Sequence, residues 1–463
     1  MSEGKILNQK FSRRELLRKA VLGGTGIVAA SALTACATPT PQVIKETVVV
    51  EKPVEKVVTA TPSPTKIELE FLVPGLDANK YREPFQVVVD DLRSKYPNVN
   101  MIMNNIQWEL DREVILTRLV SGQAPDVIYT HSNRVAEIGQ ALSGFVVFDE
   151  FPDFARVAEW FPKARLDTAR SIDGHYYGLP VITLIFGTAL NMSILREVGI
   201  TEPPKTWGEV REICKAVTIP GKRWGIGWPM GNGIDTAYRL YPYALKAGGR
   251  FLSEDLKTAI WNDEANMAAM QFMLDLKADG SFVPGTDVWR GTEEWNAWKQ
   301  KVFAIAIGGS WIPMVSAPEW ADQTILIKTP MPERGVIGKY PSATLSDDMM
   351  ITITRASKHK EICWEFCKLF TSAKHNAMWL DPKMAGQPCN KECYKDQRWQ
   401  QFWWHEVYEA EAEVATPWPY STILGELHNE YTLSISQVWA GQKGLKEAFD
   451  EGVARCNKLL AKT

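Results

Sequence analysis

The chain has 463 residues, 45% of them hydrophobic and 23% charged, the balance of a globular protein long enough to need more than one core. The first 36 residues carry six basic and two acidic side chains within a total of −3, which leaves about −7 for the remainder. A surface of that sign repels phosphate backbones, so no nucleic-acid partner is expected.

At the N-terminus, Ser12-Arg13-Arg14-Glu15-Leu16-Leu17 precedes an apolar run over 20–33 and then Leu33-Thr34-Ala35-Cys36. A charged segment before a short apolar one reads as a secretion signal, and paired arginines in this setting resemble the twin-arginine route, with Sec export left open. Thr34 and Ala35 are small enough to expose the bond before Cys36, and the phrase matches the bacterial lipobox. Residues 1–36 are therefore expected to be a lipoprotein signal peptide, with Cys36 acylated and the protein anchored to the cell membrane outside the cytoplasm. The run has 14 residues and contains Gly23, Gly24 and Gly26, too little for a helical span of roughly 20. Residues 37–65, with Pro39, Pro41, Pro53, Pro62 and Pro64 among Val, Thr, Lys and Glu, cannot bury a core and read as a disordered linker.

From Lys66 onward strands and helices alternate. Strands are predicted over 67–73, 99–103 and 126–129, and helices over 81–95, through Leu116, Leu119 and Val120, and over 134–142. Such alternation argues a mostly parallel α/β sheet covered on both faces, with ligands held at the carboxyl ends of its strands. The loops expected there hold Pro74-Gly75-Leu76, residues 104–108, and Thr130-His131-Ser132-Asn133. Farther on, helices are predicted over 207–217, 265–276 and 293–301, a strand over 303–307 ending at Gly308-Gly309-Ser310-Trp311, a strand over 349–354, and helices over 360–370 and 400–411.

Besides Cys36 there are six cysteines. Cys363 and Cys367 lie four apart on a helix, too far for a bridge, and are expected as buried thiols. Cys389 and Cys393 flank a loop in which a local bridge is feasible; the overall pairing pattern stays open. Both spacings are C-x3-C without a convincing His partner, so neither a metal nor a cofactor is expected.

Several phrases together resemble the family 1 extracellular solute-binding proteins, the maltose-binding-protein-like receptors of ABC importers. They are Gln123-Ala124-Pro125-Asp126-Val127-Ile128-Tyr129, Tyr177-Gly178-Leu179-Pro180, Glu202-Pro203-Pro204-Lys205-Thr206-Trp207-Gly208-Glu209, residues 303–311, and Ala356-Ser357-Lys358-His359-Lys360 leading into Trp364-Glu365-Phe366. The resemblance covers the chain from about Lys66 to its end. It implies a two-lobed, periplasmic-binding-protein-like (type II) α/β fold with a hinged cleft, lobe 1 formed by 66–185 and 329–372 and lobe 2 by 186–328 and 373–463. It implies a monomer that captures a small solute and passes it to ABC permease subunits.

A saccharide site combines flat aromatics, on which C–H faces stack, with carboxylates and amides that meet the hydroxyls. The candidates are Trp108, Tyr129, His131, Asn133, Trp228, Asp235, Trp311, Asp347 and Trp418. Trp311 stands first, because the glycines before it clear its surroundings and the family carries an aromatic ligand contact in this phrase. Trp108, Tyr129 and Trp228 read equally well as core, whereas Trp364, Trp379 and Trp403-Trp404 read as packing residues. A mono- or oligosaccharide is the expected solute. A glycerophosphodiester held by Arg134, or a polyamine held by Asp235 and Asp347, is the alternative. An exported hydrolase finds no support: G-x-S-x-G, H-E-x-x-H and P-loop motifs are missing, and Asp347-Asp348 would point to opposite faces of a strand.

Overall fold

The computed structural model describes residues 65–463 except 76, 77, 310, 382, 383, 385 and 402–404. The expected signal peptide with Cys36, the expected linker up to residue 64 and Trp403-Trp404 lie outside the described residues. Among the described residues eleven strands run in order β1 Ile67–Pro74, β2 Val99–Ile106, β3 Val127–His131, β4 Leu179–Ile185, β5 Gly187–Asn191, β6 Trp224–Ile226, β7 Phe303–Gly308, β8 Thr324–Ile327, β9 Thr344–Ile353, β10 Gln387–Pro388 and β11 Ala415–Pro417. The described helices of eight or more residues are α1 Ala78–Lys95, α2 Asp111–Val120, α3 Trp207–Val217, α4 Ile234–Lys246, α5 Glu264–Ala278, α6 Gly291–Lys299, α7 Lys360–Thr371, α8 His405–Ala412, α9 Leu424–Trp439 and α10 Leu445–Leu460.

Two sheets divide these strands. The first has the order β10-β4-β9-β3-β1-β2 with β11 added to β9, and the second the order β6-β7-β5-β8. In the first, β1 pairs in parallel with β2 and β3, while β9 runs antiparallel to both β3 and β4. The sheet is therefore mixed rather than mostly parallel, because β9 enters from the opposite lobe. Strand β1 is buried on both faces. Phe71 packs against Phe85 of α1 and Phe366 and Phe370 of α7, and Leu72 lies in a separate cluster with Ile115 and Ile138.

Side-chain chemistry sets several element limits. Thr206 accepts from the Glu209 N–H while the Glu209 carboxylate accepts from the Thr206 N–H, a capping box that starts α3 at Trp207. Asp263 accepts from the Asn266 N–H and starts α5. Three expectations shift. The stretch expected as a helix over 134–142 is a π-helical turn, Val135–Ala141, a winding common at functional sites. The last strand expected over 349–354 begins earlier, at Thr344. The helix expected over 400–411 is split into Gln397–Gln401 and α8.

Hydrogen bonds and strand pairing trace where the chain passes between the two lobes. The first crossing is Phe186, between β4 and β5, where its N–H donates to the Leu345 carbonyl at 2.9 Å and its carbonyl accepts from the Thr344 hydroxyl at 2.6 Å. The second lies at Ala343–Thr344 rather than 328/329. Residues 330–343 still belong to lobe 2: Trp207 Nε1 donates to the Pro330 carbonyl at 2.9 Å, and the Ala343 N–H to the Leu245 carbonyl at 3.1 Å. Nor does the chain change lobes at 372/373. Strand β10 pairs with β4 in the first sheet, Trp399 and Tyr408 then pack with Ala306 of the second, β11 returns to β9, and only α9 and α10 close the lobe 2 core. These contacts join residues up to two hundred positions apart, which no local pattern encodes.

Candidate functional site

A cavity of about 530 Å³ opens between the two sheets. Lobe 1 contributes Gly75 and Trp108 from the loops after β1 and β2, Tyr129 and His131 from β3, and Asp347 from β9; lobe 2 contributes Asp235, Tyr238 and Arg239 from α4, Trp295 from α6 and Trp311 after β7. Phe186, at the first crossing, lies in the wall between them.

Close approach of backbone places two of the indoles. Gly75 has φ +69°, and a Cβ there would sit 2.3 Å from the Trp108 ring; only glycine combines that conformation with that clearance. Trp108 in turn meets the edge of His131 at 4.6 Å between centroids. A Cβ on Gly309 would come within 2.6 Å of the Trp311 ring, which packs edge-on to Phe186 at 5.1 Å.

The polar side of the cavity centres on Asp347. Its carboxylate accepts from the Tyr238 hydroxyl at 2.6 Å and lies 2.5 Å from His131 Nδ1. Behind Tyr238, Asn133 Nδ2 donates to the same hydroxyl oxygen at 3.1 Å. Burial, with Asp347 alongside, pushes the Tyr238 phenol well above its ordinary value, so it stays a neutral donor. The next residue, Asp348, turns to the opposite face, where it accepts from the Thr183 hydroxyl at 2.7 Å and from Arg165 at 3.2 Å. Strand alternation thus separates the two carboxylates and leaves no dyad.

Lobe 2 supplies one further carboxylate and a neutralised cation. Asp235 accepts from the Gly291 N–H at 3.2 Å. Arg239 forms a buried bidentate pair with Glu294 at 2.8–3.0 Å and lies 5.1 Å above the Trp295 ring. Arg134, offered by the sequence as an anion holder, is buried and pairs with Asp111 at 2.9 Å.

Of the residues singled out from sequence, Trp108, Tyr129, His131, Asp235, Trp311 and Asp347 line this cavity. Asn133 stands behind it. Trp228 and Trp418 belong to the core of lobe 2 and are corrected to packing residues. Trp228 is fully buried against Tyr243 and Phe282, and Trp418 stacks on Tyr241 at 4.5 Å beneath α4. Tyr238, Arg239, Trp295 and Phe186 escaped sequence reasoning. The signal for two of them was present: Asp235, Tyr238 and Arg239 follow i, i+3, i+4 spacing, which sets a carboxylate, a phenol and a guanidinium on one helical face.

Among the described residues no group of three or more His, Cys, Asp or Glu converges as a metal site, and no helix is long and apolar enough to cross a membrane. The six described cysteines are buried free thiols, so no bridge joins Cys389 to Cys393.

Residues 78–377 match the family model described as bacterial extracellular solute-binding protein. The uncharacterized lipoprotein of the oleD 5′ region of Streptomyces antibioticus is 28% identical over 167 residues, 35% of this chain and 36% of that relative, so the match spans about a third of the relative's length. An ABC transporter solute-binding protein from Thermotoga lettingae, solved with alpha-D-tagatose, superposes with a TM-score of 0.76 at 19% identity, covering 85% of this chain and 100% of that one. The GacH receptor of Streptomyces glaucescens, solved unliganded and with acarbose, gives 0.75 at 18% identity over 86% and 99% of the two chains. These structures share the two-lobed α/β fold of periplasmic binding proteins. With well over half of its residues inside the family model, the chain belongs to the bacterial extracellular solute-binding proteins, a family of binders and not of enzymes.

Proposed function

We propose that the chain captures a neutral polyhydroxylated solute, a mono- or oligosaccharide, in the interlobe cavity and delivers it to the permease of an ABC importer, held at the outer face of the cell membrane by acyl chains on Cys36. The observation that carries this reading is the make-up of the cavity lining, to which both lobes contribute. Three indoles, Trp108, Trp295 and Trp311, stand beside hydroxyl-matching groups, Asp235, Asp347 and Tyr238. Flat rings suit the C–H faces of a sugar, and carboxylates accept from its hydroxyls. Tagatose and acarbose in the structures of similar fold agree with that chemistry.

A polyamine is the second reading, favoured over a glycerophosphodiester by the two carboxylates on the wall; the nearby cations Arg134 and Arg239 are already paired with Asp111 and Glu294. A calorimetric screen of sugars, polyols, polyamines and glycerophosphodiesters against the purified protein tests this. Saturable binding of a neutral sugar supports the main reading, and tight binding confined to a charged non-sugar solute overturns it. Loss of membrane retention in cells carrying Cys36→Ser is the matching test of the anchor.

A further inference from the structure

The described chain enters lobe 1 at the edge opposite the cavity. Strand β1 runs from Ile67 to Pro74, next to Gly75 in the cavity wall, so at about 3.3 Å per residue its first residue lies roughly 25 Å from the site. Strands β3 and β9 keep the same polarity: His131 and Asp347 line the cavity, whereas Val127 and Ile353 pair with each other at the far edge. Hydrogen bonds gather the loops beyond that edge into one face. The Arg355 N–H donates to the Gly144 carbonyl at 2.9 Å, and Gln140, two residues before Leu142, accepts from the Ser171 hydroxyl at 2.6 Å. A Cβ on Gly144 would come within 3.1 Å of Leu119, the neighbour of Val120.

This face is both apolar and cationic. Four large aliphatic side chains exceed half exposure among the described residues, and three of them stand here: Val120 at 86%, Ile172 at 55% and Leu142 at 54%. Single exposed apolar residues are ordinary, whereas a group of them marks an interaction site. Arg355 and Lys358, also exposed, form no ion pair with a described residue. The chain after residue 36 is acidic overall, so a negative surface repels most of it and selects the orientation that presents these cations. The N-terminal segment arrives at the same edge. The Thr65 carbonyl accepts there from Asn98 Nδ2 at 2.8 Å, and 28 residues, 37–64, separate it from Cys36. That length spans at most about 100 Å.

Resting on the acyl-anchor reading above, we infer that this face of lobe 1 docks on the anionic phospholipid headgroups of the bilayer that holds the anchor. Arg355 and Lys358 meet the phosphates, and Val120, Leu142 and Ile172 enter the boundary between headgroups and acyl chains. A tether holds the face near the bilayer, so a small patch suffices. The cavity then lies on the side away from the membrane, toward arriving solute, and the chain after Cys36 is long enough for the body to turn over toward a permease.

Full-length acylated protein, purified from membranes and reconstituted in protein-free vesicles, tests this with a fluorophore on Gln123→Cys, at the docking face, or on Leu110→Cys, at the other end of α2. The six described native thiols are buried, so the introduced one reacts. In vesicles of equal phosphatidylglycerol and phosphatidylcholine at low salt, headgroup nitroxides should quench position 123 at least about twofold more than position 110. The difference should vanish in phosphatidylcholine alone and in Arg355→Glu/Lys358→Glu, and shrink in Val120→Asp. Equal quenching at both positions, or a difference indifferent to lipid charge and to these variants, overturns the docking and leaves the anchor standing. A difference seen only in native membranes assigns the face to a protein partner and overturns it as well. Failure of the parent to stay with vesicles overturns the anchor and the docking together.

Discussion

Tyr238 donates its hydroxyl hydrogen to Asp347 at 2.6 Å, from α4 of one lobe to β9 of the other. The bond spans the cleft and sits in the wall of the ring-lined cavity, so it couples lobe position to the site. A ligand that binds the closed arrangement better shifts the lobes toward it, by no more than its differential affinity.

Tyr238→Phe removes this bond and keeps the ring. Hydrogen bonds to a carboxylate contribute about 1.5–3 kcal/mol, so the variant should melt at a lower temperature and show a larger radius of gyration without ligand. An unchanged melt and unchanged scattering would mean that the bond contributes nothing to lobe position.

Trp311→Ala and Trp228→Ala separate a site indole from a core one. Trp311, partly exposed beside Phe186, should lose about 1–3 kcal/mol of binding, roughly 5- to 150-fold in affinity, with the fold retained. Trp228, fully buried, should instead lose about 3–5 kcal/mol of stability through the cavity left behind. Paired melting and titration of both variants checks the contrast, and a reversal of the two would exchange their roles.

Gly75→Ala forces a left-handed backbone onto an L side chain, at about 1–2 kcal/mol, and drives its Cβ into the Trp108 ring. Both stability and affinity should fall. Gly199, also at positive φ but with nothing within 4 Å of an added Cβ, is the control; its Ala variant should lose stability alone.

The buried imidazole of His428 makes a pH prediction. Its folded pKa, near 3 because of burial with Arg134 and Arg112 nearby, lies below the ordinary 6.5. Between those values the unfolded chain binds the extra proton, so this residue lowers stability as pH falls, by up to about 1.4 kcal/mol per pH unit. Melting curves of His428→Leu from pH 7 to 4 should therefore slope less than those of the parent. Parallel slopes would place the protonated ring in contact with solvent.

Much of lobe 1 was legible, since period-two and period-3.6 patterns over 67–142 carry their own signal, and in lobe 2 the capping box at Thr206 marks α3. Lobe membership was not, because β10 reaches β4 and β11 reaches β9 through pairings far apart in sequence. The same limit governs the site. Gly227-Trp228 and the glycines before Trp311 look alike in sequence, yet one indole turns under α4 and the other faces the cleft. The difference lies in Val283 and Phe282, which close over Gly227 and Trp228 from a distant segment. Tyr238 and Trp295 were missed because helical residues read as packing until the facing lobe is known.

The charge of the captured solute is the point on which the proposed function turns, and the salt dependence of its binding reports that charge directly. Titration of the protein with its tightest ligand from the solute screen, at about 10 mM and about 1 M salt, compares Debye lengths of about 30 and 3 Å. A neutral saccharide gives the same affinity at both within about twofold. A steep loss of affinity at high salt would identify a charged solute and contradict carbohydrate capture.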